Sequence, residues 1–165
     1  MPVSPDVGRL LYGLVRGCRP EIVVEFGTSF GISTIHVAAG VSDNGTGRVV
    51  TTELSDRKAA AARENLEEAG LAGVVTILQG DALETLGGVS RPVGFVLLDG
   101  WKGLYLPVLR LLQPRLTPGA LVVADDTSME SAAGYLAHVR DPGSGFVSVD
   151  YPVDGGIEIS SWTGP

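Results

Sequence analysis

Residues 22–33 constrain the fold of this chain more than any other stretch of the sequence. They begin with a short apolar, β-branched run that is typical of a buried parallel strand, and the acidic residue Glu25 ends that run. Gly27 and Gly31 then bracket a tight turn, and the residues from Ser33 onward have helical composition. A strand, a glycine turn and a helix together present a helix N-terminus and bare backbone N–H groups to a ligand.

The spacing of these glycines argues against a dinucleotide site, because that site needs G-x-G-x-x-G and this sequence has E-F-G-x-x-x-G. A second acidic residue, Glu53, closes the next apolar run, where a carboxylate can accept both hydroxyls of a ribose. Two carboxylates near one nucleoside site disfavour a pyrophosphate and favour a ligand with positive charge. S-adenosylmethionine carries an amine and a sulfonium, so the pattern favours it over a nicotinamide dinucleotide.

Length and charge narrow the class of protein further. A chain of 165 residues is expected to form one domain, residues 1–165, with a sizeable core. The net charge of −7 argues against a nucleic-acid partner, because phosphate binding needs a basic face. No apolar run approaches the ~20 residues of a membrane span, and the first residues lack signal-peptide character. We therefore expect a cytoplasmic protein without a membrane partner.

Strand-like and helical segments alternate along the chain, which predicts βαβ units and a parallel sheet with helices on both faces. The predicted strands are 22–24, 48–53, 74–78, 95–99 and 120–125; the predicted helices are 6–16, 33–39, 57–69, 83–86, 105–112 and 130–140, with a polar loop at 40–47. Two last strands, 145–151 and 156–162, flank a turn and should pair antiparallel. Five βα units followed by a hairpin resemble the arrangement of class I methyltransferases. The expected fold is therefore α/β and Rossmann-like, with a seven-stranded, mostly parallel sheet and an antiparallel C-terminal hairpin strand.

Acidic residues mark the carboxyl ends of the five predicted parallel strands, where ligands bind in open α/β sheets. They are Glu25, Glu53, Asp81, Asp99 and Asp125, with Asp126 directly after the last. Helix capping alone would account well for Asp81 but poorly for Asp99.

Asp99, Asp125 and Asp126 form a candidate metal site. Asp99 and Asp125 end consecutive strands, which lie ~5 Å apart if they are neighbours in the sheet. Three converging carboxylates repel each other unless a hard cation such as Mg²⁺ lies between them. A hydroxyl bound to that cation loses its proton more readily, as an oxygen nucleophile requires. The alternative is that Asp126 points to solvent and Asp125 caps the next helix.

Lys102 lies three residues after Asp99, on the loop that leaves the strand. A lysine near a metal in a desolvated pocket can remove a proton, although an isolated lysine is more often a surface residue. Trp101 could belong to the core or could stack on an adenine ring. Cys18 is expected to be a small buried residue, and His36 and His138 to be packing or surface residues.

Several motifs resemble the catechol O-methyltransferase family. They are LLDGWKGLYLP at 97–107, LVVADD at 121–126, YLAHV at 135–139 and, upstream, EFGTSFGIS at 25–33, Glu53, GL at 70–71 and VTIL at 75–78. The resemblance extends over residues 20–140. It implies a magnesium- and S-adenosylmethionine-dependent O-methyltransferase that acts on a catechol-like or otherwise vicinal dihydroxy small molecule.

The resemblance also implies a role for each matched residue. Lys102 would be the general base that takes the proton from the attacking hydroxyl. The implied metal ligands are Asp99, Asp125 and Asp126. The implied cofactor contacts are Glu25, Gly27 and Ser33 at the methionine part, Glu53 at the ribose and Trp101 at the adenine. Further cofactor contacts are expected from Thr28, Leu54, Asp81, Ala82 and Asp99. The implied reaction is in-line displacement at the methyl carbon, with much of the rate coming from orientation.

The sequence departs from the family at several positions. Asp126 stands where the family usually has Asn, and Gly100 where the mammalian enzymes have a bulkier polar residue. Only one helix precedes the first strand, so the N-terminal lid helices are expected to be missing or supplied by another subunit, as in a homodimer. Residues 151–159 resemble the family weakly, which leaves the acceptor open.

Two alternative functions stay open at this point. One is a methyltransferase of the same fold that needs no metal and has another acceptor, against which the complete set of three aspartates and Lys102 argues. The other is a non-catalytic S-adenosylmethionine-binding module, for which Lys102 would be unnecessary.

Overall fold

Seven strands form one sheet in the computed structural model, which describes residues 2–164. The strands are β1 (Ile22–Phe26), β2 (Arg48–Glu53), β3 (Val75–Gln79), β4 (Val93–Leu98), β5 (Leu116–Ala124), β6 (Phe146–Tyr151) and β7 (Ile157–Trp162). Their order is β3-β2-β1-β4-β5-β7-β6. Strand β7 is antiparallel to both of its neighbours, whereas the pairs among β1 to β5 are parallel. The predicted sheet and its antiparallel hairpin strand are confirmed.

Six α-helices of the described chain connect these strands or precede them. They are α1 (Pro5–Cys18), α2 (Ile32–Asn44), α3 (Asp56–Glu68), α4 (Ala82–Thr85), α5 (Tyr105–Leu112) and α6 (Ala133–Arg140). None of them combines the length and the apolarity that crossing a membrane would require. Ser55 caps α3, since its hydroxyl accepts from the Lys58 N–H, and Asp56 is the first residue of the helix.

The predicted polar loop at 40–47 is also wrong over its first half, because α2 continues to Asn44 and ends at Gly45. Val41 is buried there, one turn after the buried Val37. Gly40 lets α1 approach closely, since a Cβ atom at this position would lie 2.9 Å from Val15 Cγ1. Packing against α1 therefore extends the helix through a glycine that weakens it locally.

Alternate residues of the central strands face two separate apolar clusters. Val23 and Phe95 belong to the cluster that also contains residues of α1 and α2. Val24 and Val96 belong to the cluster that contains residues of α4, α5 and α6. Strands β1 and β4 are buried along their whole length, as expected of parallel strands covered on both faces.

The register of the sheet brings the carboxyl ends of β1, β4 and β5 level. Leu98 pairs with Phe26 on one side and with Ala124 on the other. The residues that follow these strands therefore lie side by side. Gly27 has φ +103°, and a Cβ atom there would lie 2.7 Å from the Asp99 carbonyl oxygen, so only glycine fits this close approach.

Candidate active site

Three carboxylates meet where β4 and β5 end. One oxygen from each of Asp99, Asp125 and Asp126 lies within 4.8 Å of the other two. Asp126 has φ +53°, in the left-handed region that Asp and Asn adopt more readily than most residues. This conformation turns the chain immediately after β5 and keeps two consecutive aspartates at one point. The convergence expected from the sequence is present, and the role as metal ligands stays a prediction.

Lys102 is the positive charge shared by this aspartate cluster. Its Nζ lies 3.3 Å from Asp126 Oδ2 and 3.7 Å from Asp99 Oδ1, and its side chain is 10% exposed. Burial and the Asp125 charge, opposed by Lys102, raise the pKa of Asp99 to about 7. Burial and the Asp126 charge also raise the pKa of Asp125. One ammonium therefore leaves the cluster under-neutralised, and a further positive charge would relieve it.

Tyr105 supports both Lys102 and the cluster from the protein interior. The Lys102 Nζ lies 5.4 Å from the centre of its ring, and the phenol donates a 2.9 Å hydrogen bond to the backbone oxygen of Asp125. Burial, followed by the charges of the three aspartates, raises the pKa of Tyr105, so the phenol remains a donor. Sequence reasoning missed this role, although Tyr105 lies three residues after Lys102 at the start of α5.

A cleft of about 440 Å³ opens beside the cluster, within the size range of small-molecule sites. Many of the predicted site residues line it: Gly27, Glu53, Leu54, Asp81, Ala82, Asp99, Trp101, Lys102 and Asp126. Trp101 is 75% exposed and Leu54 is 74% exposed. The alternative that Trp101 belongs to the core is therefore wrong, and both apolar side chains are available to a flat ligand.

Glu53 is held in this cleft by two backbone amides. Its Oε2 accepts from the Ser29 N–H at 2.8 Å and its Oε1 from the Ser55 N–H at 2.9 Å. The carboxylate thus has a fixed orientation and retains lone pairs for a ligand. Asp81 caps α4 by accepting from the Leu83 N–H and still lines the cleft, so its two expected roles are compatible.

Glu25, Thr28 and Ser33 are buried, and none of them lines the cleft. The Glu25 carboxylate accepts hydrogen bonds from the hydroxyls of Ser33 (2.5 Å), Thr34 (2.5 Å) and Thr51 (2.6 Å). Burial raises its pKa, against the effect of the three hydroxyls. Glu25 thus ties β1 to α2 and β2 around the glycine turn. Direct contact of these side chains with the cofactor stays a prediction, and sequence reasoning missed Thr34 and Thr51.

The other candidates lie outside the cleft. Cys18 is exposed, and the expectation of a buried residue is wrong because it is the last residue of α1, beyond the last buried position, Val15. His36 packs against Gly8 of α1. His138 lies edge-on to the Phe146 ring, with 6.2 Å between ring centres. The two histidines are packing residues, as expected.

The fold and the residues at the ends of β1, β2, β4 and β5 define a class I methyltransferase. A model of the family described as "Methyltransferase domain" matches residues 24–127, and the chain belongs to this family. The predicted resemblance to catechol O-methyltransferases is confirmed by the relatives that follow.

Two catechol O-methyltransferases and one solved structure illustrate this similarity. The Niastella koreensis protein is 33% identical over 128 residues, which are 75% of this chain and 57% of that protein. The Sus scrofa protein is 29% identical over 179 residues and covers 100% of this chain and 95% of its own. An O-methyltransferase from Bacillus cereus, solved in complex with SAH, has a TM-score of 0.83 and 27% identity and covers 97% of this chain and 82% of its own. The chain thus spans little more than half the length of the Niastella koreensis relative.

Proposed function

We propose that this chain is an S-adenosylmethionine-dependent O-methyltransferase that uses a divalent cation, such as Mg²⁺, to hold a catechol-like or otherwise vicinal dihydroxy small molecule. The observation that carries the proposal is the aspartate cluster with Lys102, adjoining a cleft lined by Glu53 and Trp101. The family and the SAH complex of the Bacillus cereus protein support the cofactor. The relatives named catechol O-methyltransferase support the class of acceptor.

The aspartate cluster fits a hard divalent cation. Its donors are all carboxylate oxygens, and its negative charge exceeds the one ammonium beside it. Three protein ligands leave positions free for oxygens of the acceptor. When bound, the cation would hold two neighbouring hydroxyls there and make one of them more acidic. A pair of vicinal hydroxyls is the acceptor that such an arrangement selects.

Lys102 is placed to receive the proton of the attacking hydroxyl. Its ammonium pairs with Asp99 and Asp126, which are two of the three proposed cation ligands. With a cation held by these carboxylates, Lys102 would give its own proton to solvent, and its neutral amine would then accept the proton of the hydroxyl. Its side chain is 10% exposed, so water has little access to compete for that proton.

Glu53 and Trp101 would place the methyl donor. The Glu53 carboxylate is oriented to accept the two ribose hydroxyls, and the exposed Trp101 ring offers a face to the adenine. S-adenosylmethionine supplies the methyl group, whose carbon–sulfur bond breaks toward sulfur as the carbon–oxygen bond forms. Holding the oxygen, carbon and sulfur in line is the main contribution of the cleft to the rate.

The test is transfer of a labelled methyl group from S-adenosylmethionine to 3,4-dihydroxybenzoate, with 4-hydroxybenzoate as the matched acceptor that lacks the second hydroxyl. We expect transfer to the dihydroxy compound alone, loss of transfer in EDTA, and recovery with excess Mg²⁺. Transfer that persists in EDTA would contradict the metal site. A protein that binds SAH but methylates neither compound would favour the non-catalytic binding module. The cytoplasmic location and a homodimer that closes the cleft stay predictions.

A further inference from the structure

The turn between β6 and β7 packs on the segment that follows β5. We name residues 152–156 the hairpin turn and residues 125–128 the aspartate loop. The Thr127 N–H donates to the Gly156 carbonyl at 3.0 Å, and the Ser128 N–H donates to the Gly155 carbonyl at 3.0 Å. The backbone directly after Asp126 is therefore held by the hairpin turn and not by a strand of the sheet.

Two glycines allow this close approach. Gly155 has φ +91°, and a Cβ atom there would lie 2.9 Å from Asp126 Oδ1. Gly156 has φ +89°, and a Cβ atom there would lie 2.8 Å from Thr127 Oγ1. The backbone of the hairpin turn thus forms one wall of the space that the Asp126 carboxylate occupies.

The hairpin turn is also tied to the first helix. The Ser4 hydroxyl donates to the Asp154 carboxylate, and the same hydroxyl accepts from the Val7 N–H as the cap of α1. Contacts with the aspartate loop on one side and with α1 on the other restrict the movement of the hairpin turn. It can therefore act as a fixed support for the neighbouring carboxylate.

We propose that the hairpin turn is a positioning element for Asp126, and that Gly155 sets the place of this carboxylate and hence the affinity of the aspartate cluster for a divalent cation. The proposal rests on the metal site of the proposed function. A side chain at Gly155 would contact the free end of the Asp126 side chain. Movement of the carboxylate away from Gly155, and so out of its present place in the cluster, is the easiest relief, because the alternative is to move backbone held by two hydrogen bonds.

The test measures Mn²⁺ affinity by electron paramagnetic resonance and, separately in EDTA, SAH affinity. We expect Gly155→Ala to weaken Mn²⁺ binding about tenfold or more, as typical of a lost outer contact of a metal ligand, and to leave SAH affinity unchanged. Gly119→Ala is the matched control. Gly119 has φ +83° with nothing within 4 Å of an added Cβ, so this variant reports backbone strain alone and should bind Mn²⁺ like the wild type.

The wild type and Asp126→Ala separate this proposal from the one on which it rests. Tight Mn²⁺ binding that Asp126→Ala loses establishes the metal site, and a folded Gly155→Ala that then binds Mn²⁺ like the wild type would overturn the positioning role. Absence of Mn²⁺ binding by the wild type would overturn the metal site itself. Hydrogen exchange on the wild type needs no variant to fold. Mn²⁺ should slow exchange of the Thr127 and Ser128 amides, and unchanged exchange would also overturn the positioning role.

Discussion

Two acidic regions, one fully buried and one partly buried, lie near β5 and its neighbours, and they differ in how their charge is neutralised. Glu158 of β7 is fully buried, and its carboxylate accepts from Arg140 Nε at 2.9 Å, from Arg140 Nη2 at 2.6 Å and from the Ser148 hydroxyl at 2.6 Å. Burial would raise the pKa of Glu158, but these hydrogen bonds and the Arg140 charge outweigh it and hold the pKa low.

In the aspartate cluster, burial and repulsion outweigh the neutralising charge. Three carboxylates share the Lys102 ammonium, which lies beyond hydrogen-bonding distance of Asp99 at 3.7 Å, and burial and mutual repulsion raise the pKa of Asp99 to about 7. A satisfied carboxylate such as Glu158 stabilises a fold, whereas an under-neutralised cluster destabilises it unless a ligand supplies charge. The comparison supports the proposal that the aspartate cluster is the region that binds a cation.

The largest expected effect is on turnover. Lys102→Ala should lower it ~10²–10⁴-fold, the usual contribution of a general base, while SAH affinity measured in EDTA stays close to that of the wild type. Lys102→Arg is the matched variant, because arginine retains the charge beside the aspartates but remains protonated. It should be as inactive as the alanine variant. Activity of the arginine variant near that of the wild type would refute the base role, as would a large loss of SAH binding in either variant.

The next largest effect concerns the ion pair between Arg140 and the buried Glu158. Arg140→Ala should lower the free energy of unfolding by about 3 kcal/mol, because it leaves the buried Glu158 carboxylate without its partner. Urea unfolding of this variant, and of the double variant that also carries Glu158→Gln, measures the loss of stability. The double variant should recover most of that loss. Since the pKa of Glu158 is lowered, its stabilisation is present above its ordinary value of 4.5 and lost as pH falls through the folded value. The difference from the wild type should therefore shrink in acid.

The aspartate half of this comparison could be predicted from the sequence, for local reasons, whereas the pairing of Glu158 with Arg140 was not predicted. Asp99, Asp125 and Asp126 follow apolar runs, and the ends of neighbouring parallel strands meet at one edge, so their convergence follows from chain order. Lys102 is placed by its distance of three residues from Asp99.

Other features depend on contacts between distant segments, which a single sequence does not show. The Glu25 carboxylate accepts a hydrogen bond from the hydroxyl of Thr51, which lies 26 residues away on the neighbouring strand, and Glu25 is therefore a buried residue. Tyr105 bonds Asp125 across 20 residues, and Gly155 meets Asp126 through a hairpin whose sequence resembles the family weakly. Helix α2 likewise exceeds its predicted length because α1 packs on it.

A smaller effect should appear in the metal-free protein. The Asp99 pKa rises from an ordinary 3.8 to about 7 on folding, so the folded state binds more protons in that window and unfolding free energy falls as pH rises through it. The whole pKa shift corresponds to a loss of at most ~4 kcal/mol in the unfolding free energy. In EDTA, Asp99→Asn should therefore gain stability relative to the wild type between pH 4 and pH 7, by about 1–3 kcal/mol at the upper end. Unfolding free energies of the two proteins that change in parallel with pH would contradict the raised pKa of Asp99.

The smallest expected effect is that of Tyr105→Phe, which keeps the ring beneath Lys102 and removes the hydrogen bond to the Asp125 backbone. We expect a loss of about 1 kcal/mol in unfolding free energy, measured by thermal unfolding. Mn²⁺ affinity should also fall modestly, because Asp125 is then less firmly placed. Tyr135→Phe is the control, since Tyr135 is also a buried tyrosine and its ring packs edge-on against that of Tyr105. Equal Mn²⁺ affinities in the two variants would remove the role assigned to the Tyr105 hydroxyl.

The central claim is that the aspartate cluster is a site for a divalent cation, and thermal unfolding at pH 8 with and without Mg²⁺ tests it most directly. At a Mg²⁺ concentration ~100 times the dissociation constant, binding adds about 2.7 kcal/mol of stability. The melting temperature of the wild type should then rise by ~5–10 °C. Asp125→Asn, which removes one of the three carboxylates, should lose most of that rise. A wild-type melting temperature that stays the same in EDTA and in Mg²⁺ would contradict the account.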